Sequence, residues 1–292
     1  MADPIDVTGL LVVTDLDGCL LDDETQSYEA ARPALATLAS ARCPLVLCSA
    51  KTRAEMERIA QSIGLTDPFI VENGGALVFP TGSFDGELPG AQEREGCRVL
   101  AFGPERQALI DVLGEIAAEA HVGVRGFAAM TGPELERFTG LGSETALLAL
   151  RREYDEPFLL EDEGRLEAFA QAASRRGLKV RQGGRFYHLT GRIDKGVAFR
   201  MLLALYQRAG KHFSSAGFGD AATDLPLLRA VDRPILVPRR DGSVDPILAS
   251  SLPTAECAPQ PGPAGWNAAV LTLLAKGHLP RLPPALPRLV PR

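Results

Sequence analysis

Short apolar runs alternate with helical patterns from the start of the chain. Leu10-Leu11-Val12-Val13-Thr14 is a continuous apolar stretch of the kind that forms a parallel strand buried on both faces. An Ala/Leu-rich helix is predicted from about Tyr28 to Ala41 and a second strand at Leu45-Val46-Leu47-Cys48. Thr52-Arg53-Ala54-Glu55 has capping-box spacing, which predicts a helix capped by Thr52. That helix carries Met56, Ile59, Ala60 and Ile63 on one face, and Gly64 is its natural stop. Phe69-Ile70-Val71 reads as a third strand and leads into Glu72-Asn73-Gly74-Gly75.

Near Pro80 the rhythm changes. Residues 81–96 are rich in Gly, Pro and charge, as in a linker or exposed loop. Short elements follow: a strand at Val99–Phe102, helices near 104–120, 133–137 and 143–152, a strand at Phe158–Leu160, a helix over 162–176, and two strands around Gly183-Gly184. The first pattern then resumes. Lys195–Arg208 is a helix with Val197, Met201, Leu202 and Leu205 on one face; Ser214–Gly219 is a small-residue strand, Asp224–Ala230 starts another helix, Ile235–Val237 is a late strand and Trp266–Ala275 a terminal helix. The fold class is therefore α/β: a doubly wound, Rossmann-like parallel-sheet core formed by residues 1–80 and 190–276, interrupted by an α+β domain at 81–189. Residues 277–292 contain five prolines and too little apolar content to pack, and are predicted to be a disordered tail.

Composition narrows the class without changing it. A chain of 292 residues that is 46% hydrophobic and 23% charged is ordinary for a folded protein, and its length favours two domains. A net charge of −6 argues against nucleic acid or an anionic membrane as partner but leaves room for an anionic small molecule. Five cysteines with no CxxC pair fit a reducing, cytoplasmic setting; the amino terminus has no signal-peptide pattern, and no apolar run reaches membrane-spanning length. Oligomeric state is not encoded in any pattern here.

Four signals carry chemistry. Asp15-Leu16-Asp17-Gly18-Cys19 follows the first strand and sets one carboxylate beside another in a tight turn. Ser49 ends the second strand just before a helix, where free N–H groups favour an anion. Lys195 opens a helix, and Asp220 and Asp224 lie in the turn after the Gly217–Gly219 strand end. With Asp15 those two would suit a hard cation such as Mg²⁺, which takes oxygen ligands. Each signal also has a plain structural reading: an Asx turn, a helix cap, a solvated surface lysine, a glycine turn with aspartate caps. Their shared location at carboxyl ends of strands, the ligand-binding edge of α/β sheets, favours a phosphoryl-transfer site.

The order DxDG, Ser, Lys, GDxxxD resembles the haloacid dehalogenase superfamily, and the insert resembles its large α+β (C2B) cap. Ser49-Ala50-Lys51-Thr52-Arg53, Ile70–Gly75, Arg152-Glu153-Tyr154-Asp155-Glu156 and Gly183-Gly184-Arg185-Phe186-Tyr187-His188 extend the likeness to the mannosyl-3-phosphoglycerate phosphatase family. The resemblance implies Mg²⁺-dependent hydrolysis of mannosyl-3-phosphoglycerate to mannosylglycerate, a compatible solute, through an aspartyl phosphate. It makes Asp15 the nucleophile, Asp17 the acid and then base, and Ser49 and Lys195 the holders of phosphoryl oxygens. Asp15, Asp17 (through its carbonyl), Asp220 and Asp224 become the metal set, Asp224 by orienting the metal's waters or Lys195, with Lys51, Asn73, Arg185 and His188 on the substrate. Three positions depart from the pattern: Cys19 where Thr is usual, and Ala221 and Thr223 where Ser and Asn are common. The first removes a hydroxyl near the loop but no essential charge, and the other two weaken the expected hydrogen-bond support of the cation. A phosphatase for glucosyl-3-phosphoglycerate or another sugar phosphate is the neighbouring alternative. A phospho-accepting signalling domain and a sugar-phosphate-binding protein are the alternatives of another class.

Overall fold

The computed structural model describes residues 9–276, so the tail expected at 277–292 lies outside the described residues. The first third builds β1 (Leu10–Thr14), α1 (Arg32–Ser40), β2 (Leu45–Leu47), α2 (Arg53–Ile63), β3 (Phe69–Val71), β4 (Ala76–Pro80), β5 (Gln92–Arg94) and β6 (Cys97–Ala101). The middle contributes α3 (Arg106–Ala120), β7 (Val124–Gly126), α4 (Gly132–Thr139), α5 (Ser143–Ala149), β8 (Asp155–Leu160), α6 (Leu166–Arg175), β9 (Lys179–Gly183) and β10 (Phe186–Thr190). The last third adds α7 (Lys195–Arg208), β11 (Ser214–Gly219), α8 (Leu225–Leu228), β12 (Arg233–Leu236), α9 (Pro246–Ser251), β13 (Glu256–Cys257) and α10 (Gly262–Lys276).

A parallel five-stranded sheet, in the order β13-β12-β11-β1-β2, is the centre of the core. The interior strand β1 shows why its sequence is apolar along its length. Leu10 and Val12 pack with α1, α2 and α10, around Trp266 and Met56, while Leu11 and Val13 pack on the other face against α7. The capping box of α2 forms as expected: Thr52 Oγ1 accepts from Glu55 N–H at 3.2 Å, Glu55 Oε2 accepts from Thr52 N–H at 2.8 Å, and Gly64 ends the helix at φ 71°. The face of α7 differs from expectation. Ala198, Phe199, Leu202, Leu205 and Tyr206 are buried, whereas Val197 and Met201 are exposed, because the two aromatic side chains rotate the larger apolar area onto the sheet.

The domain boundary also differs. A parallel bridge between Cys48 and Ile70 attaches β3 to the edge of the central sheet. From β3 an antiparallel sheet, β3-β4-β6-β5, continues through residues 92–101. The stretch expected to be a linker and the start of the insert is thus part of the core, held by Phe79 and Phe84 against Tyr206. The inserted cap begins after Ala101 and has its own antiparallel sheet, β7-β8-β10-β9, backed by α3 and α6 through Phe158, Phe169 and Leu113. Outgoing and returning chains cross side by side: a Cβ at Gly191 would sit 3.5 Å from Gly103 Cα. No helix among the described residues is long and apolar enough to cross a membrane, and all five thiols are free.

Candidate active site

The carboxyl ends of β1, β2 and β11 and the amino end of α7 meet under the β9–β10 hairpin of the cap. Between them lies a cavity of about 290 Å³ lined by Asp15, Asp17, Ser49, Asn73, Lys195 and Asp220 from the core, and by Arg181, Gln182, Gly183 and His188 from the cap. Parallel pairing of β1 with β11 aligns Thr14 with Phe218, and Asp15 N–H donates to Phe218 O at 3.0 Å. That register brings the residues after both strands, 15 and 220, to the same end of the sheet.

Lys195 is buried and bridges two carboxylates, donating to Asp15 Oδ1 and Asp224 Oδ1 at 2.7 Å each. Burial alone would pull its pKa down, but the Asp15 and Asp224 charges outweigh that and hold it well above the ordinary lysine value. Asp15 has the opposite balance. Burial first, then Asp224, push it up to about 7 against the pull of Lys195. Asp220 rises to about 8, again chiefly through burial, with Asp15 and Asp224 adding to it. Two carboxyls in one pocket, each resisting ionisation, form a site that gains from a cation.

The donor set fits such a cation. Oxygens of Asp15 and Asp220 and the Cys19 Sγ lie within 4.8 Å of one another. Gly18 (φ 72°) makes this approach possible: a Cβ there would sit 2.5 Å from Asp220 Oδ2. Carboxylate oxygens suit Mg²⁺. Cys19, whose thiol burial pushes well up in pKa, remains a neutral neighbour 3.8 Å from Asp220 Oδ1.

Of the two roles expected for Asp224, on the metal's waters or on Lys195, the structure shows the contact with Lys195. Asp224 is fully buried, its Oδ1 accepts a hydrogen bond from Lys195 Nζ, and its Oδ2 accepts from the N–H groups of Asp220 and Ala221 at 3.1 and 3.2 Å. With both oxygens engaged, it anchors Lys195 and the Asp220 turn. Asp17 is half-buried, and its Oδ1 accepts from Lys51 Nζ and Gln26 Nε2 at 2.8 Å each. Lys51 therefore sits on Asp17 beside the cavity, where the sequence pointed to the substrate.

Ser49 is buried, its carbonyl accepting from Asn73 N–H at 3.0 Å and its hydroxyl from Lys51 N–H at 3.2 Å. Asn73 holds a left-handed φ of 58°, next to Glu72 at 48°, a pair of rarely adopted conformations that folds this turn onto the Ser49 loop. Glu72 is buried and accepts from Glu153 N–H and Tyr154 N–H of the cap; burial pushes its pKa up to about 7. His188 Nδ1 pairs with Asp155 Oδ2 at 2.8 Å.

Arg185 is not brought to the cavity. It is exposed in the hairpin turn and donates to Phe138 O at 3.0 Å. The guanidinium that lines the cavity belongs to Arg181, which also donates to Ile193 O. Arg181 pairs with His188 across β9–β10, and the available signal was the turn: a two-residue hairpin loop at 184–185 sets Arg181 directly opposite His188. Asp23 and Gln182 also line the cavity without having been singled out, and neither belongs to a motif.

Comparison with known proteins places this geometry. Residues 12–83 match the model of the haloacid dehalogenase-like hydrolases. A glucosyl-3-phosphoglycerate/mannosyl-3-phosphoglycerate phosphatase of Methanococcoides burtonii is 38% identical over 92% of this chain and 98% of its own. A protein of the same description from Persephonella marina is 35% identical over 91% and 97%. Among solved structures, a haloacid dehalogenase-like hydrolase from Bacteroides thetaiotaomicron shares the fold with a TM-score of 0.64, covering 92% of this chain and 99% of that one at 15% identity.

Proposed function

The chain belongs to the haloacid dehalogenase-like hydrolases, in the family of glucosyl-3-phosphoglycerate/mannosyl-3-phosphoglycerate phosphatases, and from that premise we propose that it hydrolyses both hexosyl-3-phosphoglycerates with the help of Mg²⁺. The sequence alone pointed to the mannosyl ester. Relatives that match nearly the whole chain are described for both sugars, which supports the wider reading.

The observation that carries the proposal is the division of labour at Asp15. One oxygen is held by Lys195, and the other is left to attack phosphorus, forming an aspartyl phosphate. Lys195 and the Ser49 hydroxyl are placed to hold phosphoryl oxygens, and Asp17 protonates the departing glycerate alkoxide before taking a proton from the hydrolytic water. Mg²⁺ held by Asp15, the Asp17 carbonyl and Asp220 would neutralise charge on the transferring group. Lys51 and Gln26 hold Asp17 at the rim of the site.

The cap meets the rest of the substrate. Arg181 is the guanidinium in the cavity wall and suits the glycerate carboxylate through its planar fork. Asn73 and His188 offer polar contacts to the sugar. Phosphate release from glucosyl- and mannosyl-3-phosphoglycerate should agree within about tenfold in kcat/KM, since sugar epimers differ by few hydrogen bonds. Asp15→Asn should lose at least about a thousandfold in kcat on both. A preference for simple hexose phosphates would defeat the substrate assignment.

A further inference from the structure

A chain of buried polar groups runs from the catalytic loop to the cap wall without touching the reacting atoms. Arg152, at the start of the segment leading into β8, donates to Ala50 O, the residue after Ser49, at 3.1 Å. It also reaches Asp155 Oδ2 at 3.1 Å, and the same oxygen lies 2.8 Å from His188 Nδ1 on β10. The Asp155 side chain is fully buried, and Arg152 and His188 are 8% and 11% exposed. Burial would raise the Asp155 pKa, but the Arg152 charge stands foremost against it and the group lies below the ordinary carboxylate value, so it is a carboxylate.

That carboxylate fixes the imidazole. An anionic acceptor at Nδ1 keeps the proton on that nitrogen, and in the neutral ring Nε2 is left as an acceptor. Among the described residues Nε2 has no hydrogen-bond partner, although His188 lines the cavity. Gly183, paired across the hairpin turn, keeps that edge open. A Cβ at Gly183 would lie 2.8 Å from Nε2 and 3.1 Å from Cδ2.

We infer that Asp155 is a positioning residue: it locks His188 in the Nδ1–H form so that Nε2 accepts a hydrogen bond from a hydroxyl of the substrate's sugar–glycerate part. Arg152 ties this reader to the backbone of the Ser49 loop. An acceptor selects a hydroxyl donor, so His188 recognises the neutral part of the substrate and leaves the anionic groups to Arg181 and the phosphate site. The inference rests on the hexosyl-3-phosphoglycerate reading.

Two measurements test it on the full-length enzyme. The ¹⁵N chemical shifts of His188, assigned by comparison with His188→Gln, should show a protonated Nδ1 and a bare Nε2 in the wild type, with a mixture of forms in Asp155→Asn. The second compares hexosyl-3-phosphoglycerate with p-nitrophenyl phosphate, which carries no sugar. The ratio of kcat/KM for the two should fall about tenfold in Asp155→Asn, mostly through KM, as expected for one lost neutral hydrogen bond. Gly183→Ala, which crowds Nε2 without removing a buried charge, should lower the ratio similarly even if Asp155→Asn folds poorly. An imidazole protonated on both nitrogens, or both activities falling together in both variants, overturns the inference. A wild type that does not prefer hexosyl-3-phosphoglycerate over p-nitrophenyl phosphate overturns the substrate reading instead, and leaves the tautomer result to stand on its own.

Discussion

Replacing Gly18 by alanine separates the cation site from the general stability of the fold. Gly18 has φ 72°, a conformation that costs an L side chain about 1–2 kcal/mol. Its new methyl would also stand 2.5 Å from Asp220 Oδ2 and 2.9 Å from Asp220 Cγ. Reaching an ordinary 3.4 Å contact requires Asp220 to retreat by about 0.9 Å, a large displacement beside an Mg–O bond of about 2.1 Å. The backbone cost should lower Tm by roughly 2–8 °C for a chain of this size. The displaced ligand should lower kcat by about a hundredfold and weaken Mg²⁺ activation. Gly64 supplies the control, since it has nearly the same φ (71°) but nothing within 4 Å of its would-be Cβ. Gly64→Ala should therefore lose a similar amount of Tm and keep its turnover. Steady-state phosphate release across an Mg²⁺ titration, with melting curves for both variants, measures this. Gly18→Ala with the wild-type kcat and Mg²⁺ midpoint would show that Asp220 does not serve the cation.

Three further outcomes follow from the site. Asp15 and Asp220 keep their protons in the native state up to about pH 7 and 8, while the unfolded chain loses them near 3.8; in EDTA they therefore cost stability as pH rises through that window. The Tm gain on adding Mg²⁺ should accordingly grow from pH 5 to pH 8 and disappear in Asp220→Asn; a gain independent of pH refutes the placement. Asp17→Asn should retain Mg²⁺-dependent thermal stabilisation but lose about 10²–10⁴-fold in kcat, read by phosphate release; near-normal turnover would remove Asp17 from proton transfer. Arg185→Ala, altering an exposed side chain bonded to Phe138 O, should change kcat/KM by less than about twofold, and a large loss would restore it to the substrate site.

Much of this was legible in the chain. The limits of β1 and β11 follow from an unbroken apolar run and a small-residue stretch, each a local signal that packing reinforces. The gathering of Asp15, Ser49, Lys195 and Asp220 follows from strand polarity, because every carboxyl end of a parallel sheet faces one edge. What was illegible depended on partners distant in sequence. Gln92–Arg94 is exposed at all three positions and forms a strand only because β6 lies beside it, so its composition resembled a loop. Asp224 was left between the metal's waters and Lys195; its oxygens answer to Lys195 and to backbone N–H groups, a choice that no spacing makes. Arg185 stood in the motif, and Arg181, four residues earlier, in the cavity; the two share parity, and what separates them is the hairpin register, which pairs Arg181 with His188 and leaves Arg185 in the turn.

The adjacent crossings at Gly103 and Gly191 make the inserted domain a detachable cassette. A dipeptide reaches across that gap, about 3.8 Å per step, so the segment between them can be excised and the ends rejoined without stretching the remaining chain. Such a trimmed protein would keep Asp15, Ser49, Lys195 and Asp220 while losing Arg181 and His188. On the proposed function, the chemistry would then lie in one folding unit and the choice of ester in another, and a different module grafted at the same seam should redirect the enzyme without redesigning its engine.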